Sequence, residues 1–270
     1  MSNPDNYNVI QKIDLRKIFK EKNPKLAPYI PGFVYRYLNR ILHIPEINNI
    51  LEKSGNKTGY DFVCAVIEDF NITTTYHGTE NLPEKGRFIF VSNHPMGGFD
   101  GMLLIKMIYE KYGDTKSISN DILMNIKNIN SLFLPINKHG SQSTETAENF
   151  DKVMKSGSQI LTFPAGLVSR KRKGIIRDVE WKKSFVNKAV QYERDVIPVF
   201  VSGRCTNFFY TLANLRKFIG IKSNIEMFFL ADETYRHKNE HVDITIGPPV
   251  SWKTFDKSRS AGSWRRHPRR

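Results

Sequence analysis

Phe88-Ile89-Phe90-Val91-Ser92-Asn93-His94-Pro95-Met96-Gly97-Gly98-Phe99-Asp100-Gly101 reads as a strand, a loop and the start of a helix. The first five residues make a short apolar run, the pattern of a parallel strand covered on both faces. From Phe99 to Tyr112 the apolar residues take helical spacing. Between them the chain turns through Pro95 and two glycines. A buried strand feeding a helix in this way is the first half of a βαβ unit.

The same alternation continues on both sides. Downstream, Thr144 to Lys155 and Val179 to Glu193 read as helices. Ser117 to Ser119, Gln159 to Phe163, Val196 to Ser202, Ile225 to Leu230 and Val242 to Ile246 read as strands. A helix is expected near Asp121 to Ile126 and an apolar strand-like segment at Leu132 to Ile136. Upstream, Ile72 to Tyr76 is β-branched and aromatic. Before it come helical stretches at Asp14 to Lys20, Phe33 to Leu42, from Ile47, and Tyr60 to Phe70, with Pro45 ending the second. The expectation is an α/β fold, a mostly parallel central sheet flanked by helices. Residues 1–70 form a helical N-terminal segment packed on the core and 71–256 the α/β domain. The basic tail is 257–270, and within it Ser260 to Arg270 reads as a cloning scar whose four arginines are discounted.

Composition narrows the classes. At 40% hydrophobic and 12% aromatic residues, 270 residues are ample for a core. Two cysteines, Cys64 and Cys205, sit in apolar surroundings without metal-ligand spacing, which argues against a disulfide framework and for a reducing compartment. The net charge of +14 points to an anionic partner: lipid, an acidic carrier or nucleic acid. The polar N-terminus does not read as a signal peptide, and no apolar run approaches the 20 or so residues of a membrane span.

His94 follows the buried strand, where such sheets place ligands, and its ordinary pKa suits a general base. Asp100 is the nearby carboxylate that would orient it. Gly97 and Gly98 would let a substrate approach the backbone. A purely structural reading makes Asp100 a first-turn acid favoured by the helix dipole and His94 a polar loop residue. A second strand runs into Phe163-Pro164-Ala165-Gly166 and then the basic run Ser169 to Lys173, where Arg170 is a candidate for holding phosphate or carboxylate. The alternatives for that run are a solvated basic face or a nucleic-acid patch. Lys138, after Phe133-Leu134-Pro135-Ile136, is a third candidate, while His139 has no evident partner. Pro198 implies a strand edge or bulge. There is no Gly-x-Ser-x-Gly, phosphate loop, His-Glu-x-x-His or Cys-x-x-Cys.

In these four blocks, taken in order, the chain resembles the lysophospholipid and glycerolipid acyltransferase superfamily. Asn93-His94 through Asp100 looks like its catalytic His–Asp block, Phe133 to Lys138 like its second block, Phe163 to Gly166 like its Phe-Pro-Glu-Gly block, and Val196 to Val201 like its fourth. Five residues separate His94 from Asp100 where that family usually has four, Ala165 replaces the usual Glu, and Arg170 comes later than the usual arginine. These forms look more like a hemolysin-like bacterial branch similar to lyso-aminolipid O-acyltransferases, which act on lyso-ornithine or lyso-glycine lipids.

The resemblance implies a glycerol-3-phosphate acyltransferase-like fold, with His94 as general base and Asp100 orienting it. It implies that Asn93, Gly97, Gly98, Lys138, Phe163, Pro164, Gly166 and Arg170 line the substrate site. The implied co-substrate is the thioester of acyl carrier protein or coenzyme A and the implied acceptor a lysolipid, with no metal and no bound cofactor. Rival readings are a catalytically silent lipid binder and a nucleic-acid binder; the basic run lacks the interleaved aromatics of a stacking platform, so nucleic acid is not the expected partner. Two aromatic and basic stripes, Phe33 to Leu42 and Phe208 to Ile219, imply peripheral attachment to an anionic membrane surface, the inner face of the cytoplasmic membrane.

Overall fold

The computed structural model describes residues 12–119, 127–135 and 144–255. Four helices come first: α1 (Leu15–Lys22), α2 (Gly32–Ile41), α3 (Ile44–Ser54) and α4 (Gly59–Asp69). Pro45 lies inside the first turn of α3, where its missing N–H costs nothing, so it opens a helix as well as following one. The remaining elements are β1 (Thr73–His77), β2 (Phe88–Ser92), α5 (Gly98–Tyr112), β3 (Thr115–Ser119), β4 (Phe133–Pro135), α6 (Thr144–Lys155), β5 (Gln159–Thr162), β6 (Arg170–Arg172), β7 (Ile175–Arg177), α7 (Ser184–Tyr192), β8 (Asp195–Val201), α8 (Asn207–Phe218), α9 (Leu230–Arg236) and β9 (His241–Ile246). The expected helix at 121–126 and residues 136–143, with Lys138 and His139, lie outside the described residues, as does the tail beyond 255.

Seven strands form one sheet in the order β1-β9-β8-β2-β5-β3-β4. Every pairing is parallel except β8 with β9. β2 lies between β8 and β5 and is buried throughout. Its pleat divides two cores. Phe88 and Phe90 face the side packed by Leu103, Leu104 and Ile108 of α5, with Phe62 and Val66 of α4. Ile89 and Val91 face the side packed by Phe150 and Met154 of α6 and Phe185 and Ala189 of α7. Burying such side chains contributes about 1.5–3 kcal/mol each.

Arg194, wholly buried, donates to the carbonyls of Val153, Met154, Ser156, Ser158 and Phe88, tying the end of α6 to the start of β2. Burial, and Arg87 nearby, push its pKa down to about 10. Pro198 sits at a bulge. β8 pairs with the segment after β9 at Val196↔Val250 and again at Val199↔Ile246, so residues 246–250 face 196–199 with one extra residue.

Ile225 to Leu230 is not a strand. It forms a 3-10 turn over Ile225–Phe229 that runs into α9. Short apolar runs do not separate the two states; here Met227 and Leu230, three residues apart, pack on one buried cluster with Val168 and Phe209.

Candidate active site

β2 ends at Ser92, and Asn93 fixes the direction in which the chain leaves the sheet. Its Nδ2–H donates to the Val201 carbonyl at 2.8 Å and its Oδ1 accepts the Val201 N–H at 2.8 Å. One primary amide thus matches both backbone groups at the end of β8.

His94 Nδ1 lies 2.9 Å from Asp100 Oδ2. Asp100 is fully buried, while the His94 side chain keeps 19% exposure. The same Oδ2 accepts the Met96 N–H at 3.1 Å and Oδ1 accepts the Gly101 N–H at 3.0 Å, so the buried carboxylate is well supplied with donors. Asp100 sits in the first turn of α5, where the helix dipole favours an anion. The fifth residue between His94 and Asp100 is absorbed by the loop without breaking their contact. A carboxylate at Nδ1 places the proton there and leaves Nε2 as the basic nitrogen. The ring stacks on Phe163, with centroids 4.3 Å apart and planes at 28°.

The backbone of this loop is held by a segment that sequence reading missed. Asp178 Oδ1 accepts the His94 N–H at 3.2 Å and the Ser169 hydroxyl at 2.5 Å, and Oδ2 accepts the Trp181 indole N–H at 2.9 Å. Ser169 N–H donates to the His94 carbonyl at 2.8 Å, and Lys182 N–H to the Pro164 carbonyl at 3.0 Å. Residues 178–182 therefore lie across both loops, and the helix expected from Val179 begins only at Ser184. In sequence, Asp178 carried no signal beyond its proximity to the basic run.

Several expected substrate-binding residues have internal partners instead. Asn93 bonds to Val201, as above. Gly97, at φ +85°, and Gly98 make room for α9: a Cβ on Gly97 would come within 2.5 Å of Leu230, and one on Gly98 within 3.1 Å of the Thr234 hydroxyl. Arg170 is buried and turned inward. Its Nη2 meets Glu226 Oε1 at 2.8 Å, its Nη1 donates to the Val168 carbonyl at 2.6 Å, and its guanidinium lies over the Phe209 ring. Burial lowers its pKa and Glu226 opposes that fall. Glu226 also takes Arg216 Nε at 2.6 Å, so Arg216 does not reach outward from α8 either. Phe163, Pro164 and Gly166 do form a turn beside His94, closed by the Gly166 N–H on the Phe163 carbonyl at 2.9 Å. Exposed Lys182 lies over it, its Nζ 3.7 Å from where a Gly166 Cβ would stand. Lys182 has no carboxylate partner among the described residues.

The sequence matches a known family along almost the whole chain. A family model described as acyltransferase matches residues 17–268. The chain belongs to that acyltransferase family. Among curated proteins it is 45% identical over 253 residues to the lyso-glycine lipid O-acyltransferase of Bacteroides thetaiotaomicron, covering 93% of each chain. It is equally identical to the protein of that name from Phocaeicola vulgatus, covering 93% of this chain and 91% of that one. Among solved structures it is similar to the 1-acyl-sn-glycerophosphate acyltransferase PlsC of Thermotoga maritima. That match has a TM-score of 0.46 and 19% identity over 93% of this chain and 92% of that one. The acyltransferase has no helix, among its described residues, long and apolar enough to cross a membrane.

Proposed function

We propose that this acyltransferase moves a fatty acyl chain from a thioester, of acyl carrier protein or coenzyme A, to the hydroxyl of a lysolipid, and that the acceptor is a lyso-aminolipid of the glycine type. The observation that carries the reaction is the 2.9 Å contact between His94 Nδ1 and buried Asp100. The acceptor class is supported by the names of the relatives that share 45% of its sequence.

In this reading Nε2 of His94 takes the proton of the acceptor hydroxyl as its oxygen attacks the thioester carbonyl. Asp100 holds the ring and stabilises the imidazolium that forms. The tetrahedral intermediate expels the thiolate, which recovers the proton from His94, leaving an ester and a free thiol. The chemistry calls for no bound cofactor or metal. The work is set at the inner face of the cytoplasmic membrane, where a lysolipid and a soluble thioester meet.

The test is turnover by the purified protein with each thioester against lyso-glycine lipid, lyso-ornithine lipid and lysophosphatidic acid, read by mass spectrometry. Preferred conversion of the glycine lipid supports the proposal. Conversion of lysophosphatidic acid alone overturns the acceptor, and lipid binding without turnover of any acceptor overturns the enzyme reading in favour of a silent binder.

A further inference from the structure

The apolar side chains that remain in water are not scattered over this protein. Of fourteen large apolar residues exposed among the described residues, six fall within residues 208–228: Phe208, Leu215, Phe218, Ile219, Ile221 and Phe228. Phe218 is 88% exposed, Phe228 59% and Phe208 55%. Scattered exposure is ordinary, whereas a concentrated apolar patch marks an interaction site. On α8 the inward positions Phe209, Tyr210 and Ala213 are buried, so Phe208, Leu215, Phe218 and Ile219 are left on the outer side. Phe208 meets Phe229 edge to face at 5.1 Å, which brings the turn carrying Phe228 alongside.

A basic hairpin lies beside this patch. β6 and β7 pair across Lys173 and Gly174, both at positive φ, the two-residue turn that suits a tight hairpin. The hairpin is fastened to α8 by Asn214 Nδ2–H on the Lys171 carbonyl at 3.1 Å and by Lys171 Nζ on Asn207 Oδ1 at 3.2 Å. Arg172, Lys173 and Arg177 point to solvent, as do Lys217 and Lys222. No acidic residue occurs between Asn207 and Ile225. The next acid along the chain, Glu226, is buried between Arg170 and Arg216.

We infer that α8, the Phe228 turn and the β6–β7 hairpin form the surface by which this protein seats on an anionic bilayer. The aromatic and aliphatic side chains enter the headgroup boundary while the hairpin and the lysines meet anionic headgroups. Charge complementarity selects an anionic surface, and exposed phenylalanines set beside lysines and arginines suit the headgroup boundary of a bilayer. The seat also suits the chemistry: the hairpin begins one residue after Ser169, whose N–H holds the His94 carbonyl. The inference rests on the lysolipid reading for its purpose, but its test requires no turnover.

The test is flotation of the full chain with phosphatidylcholine vesicles of graded phosphatidylglycerol content. Binding rises with phosphatidylglycerol and falls with salt. The Phe218→Ser/Phe228→Ser variant partitions about tenfold or more less well, since each Phe loses its transfer from water. Arg172→Gln/Lys173→Gln loses roughly fivefold per charge, and only on anionic vesicles. Both variants keep the unfolding midpoint and the activity on detergent-dispersed acceptor. A Phe33→Ser/Tyr37→Ser variant on α2, the other exposed aromatic stripe, serves as comparison. If only that variant leaves the vesicles, or if wild-type protein stays unbound at low salt, or if the patch instead pairs two copies in sedimentation without binding lipid, the inference is overturned.

Discussion

Asp178 Oδ1 accepts the backbone N–H of His94 across eighty-four residues of sequence, at 3.2 Å. The bond is to the backbone of His94, and the influence expected of it on catalysis runs through the position of the loop. Asp178→Ala should lower kcat by on the order of 10²-fold, the effect of a misplacement near 1 Å, while the pH profile shifts little. Asp178→Asn, which keeps an acceptor for His94, should recover much of the loss. Equal rates for the alanine variant and wild type would remove Asp178 from the positioning machinery.

His94→Ala should cut thiol release in the presence of acceptor by about 10²–10⁴-fold, the ordinary worth of a general base. Circular dichroism should not change, because the ring keeps 19% exposure and its removal opens no deep cavity. Asp100→Asn should cost as much or more, since an amide supports the wrong tautomer at Nδ1 and weakens the bond to the Met96 N–H. A folded His94→Ala protein that turns over normally would refute the mechanism.

Arg170 and Lys182 should separate cleanly. Arg170→Gln leaves Glu226, which is fully buried, with one cation fewer. The expected result is a loss of roughly 3–5 kcal/mol of stability with little change in KM. Lys182→Met should do the reverse: an unchanged unfolding midpoint and a KM raised about tenfold or more for whichever substrate brings a carboxylate or phosphate to the Gly166 turn. An unchanged KM for both acceptor and thioester would exclude Lys182 from substrate binding.

Tyr112 donates its hydroxyl to the Pro83 carbonyl at 2.9 Å, and burial pushes its pKa up to about 12 from 10. A phenol raised in the folded state adds stability that is whole below pH 10 and is lost as the pH climbs through 12, because the unfolded chain sheds that proton first. Tyr112→Phe should therefore flatten the alkaline fall in denaturant midpoint between those limits. A fall of the same steepness in the variant would assign it to other groups.

The His94–Asp100 relationship was legible in sequence because both partners sit within one strand–loop–helix passage, where local pattern determines who faces whom. The parallel sheet was legible for the same reason, strand by strand. Asp178 and Glu226 were not, because His94 and Arg170 lie eighty-four and fifty-six residues away from them, and Lys182 was not, because an isolated lysine says nothing about which group it will meet. For Arg170 the run suggested a holder of phosphate or carboxylate, and the carboxylate that the fold brings against it is Glu226, fifty-six residues on. Gly97 and Gly98 were recognised as positions where something must approach closely, but the approaching body is α9. In the expected membrane stripe, Phe208 is exposed while its neighbour Phe209 is core, since adjacent positions of a helix point about 100° apart.

β1 has one neighbour in the sheet, and that neighbour is β9, with Thr73 opposite His241. A ribosome that adds about 5–20 residues per second releases β1 roughly 10–30 s before its partner exists. Throughout that interval the nascent chain carries an unsatisfied strand and the half-covered apolar face of α4 and α5. The sheet is closed at this edge only when residues 241–246 emerge, so a stalled or shortened polypeptide would present to chaperones and proteases a body whose His94–Asp100 passage is already synthesised but whose first strand still has nothing to pair with.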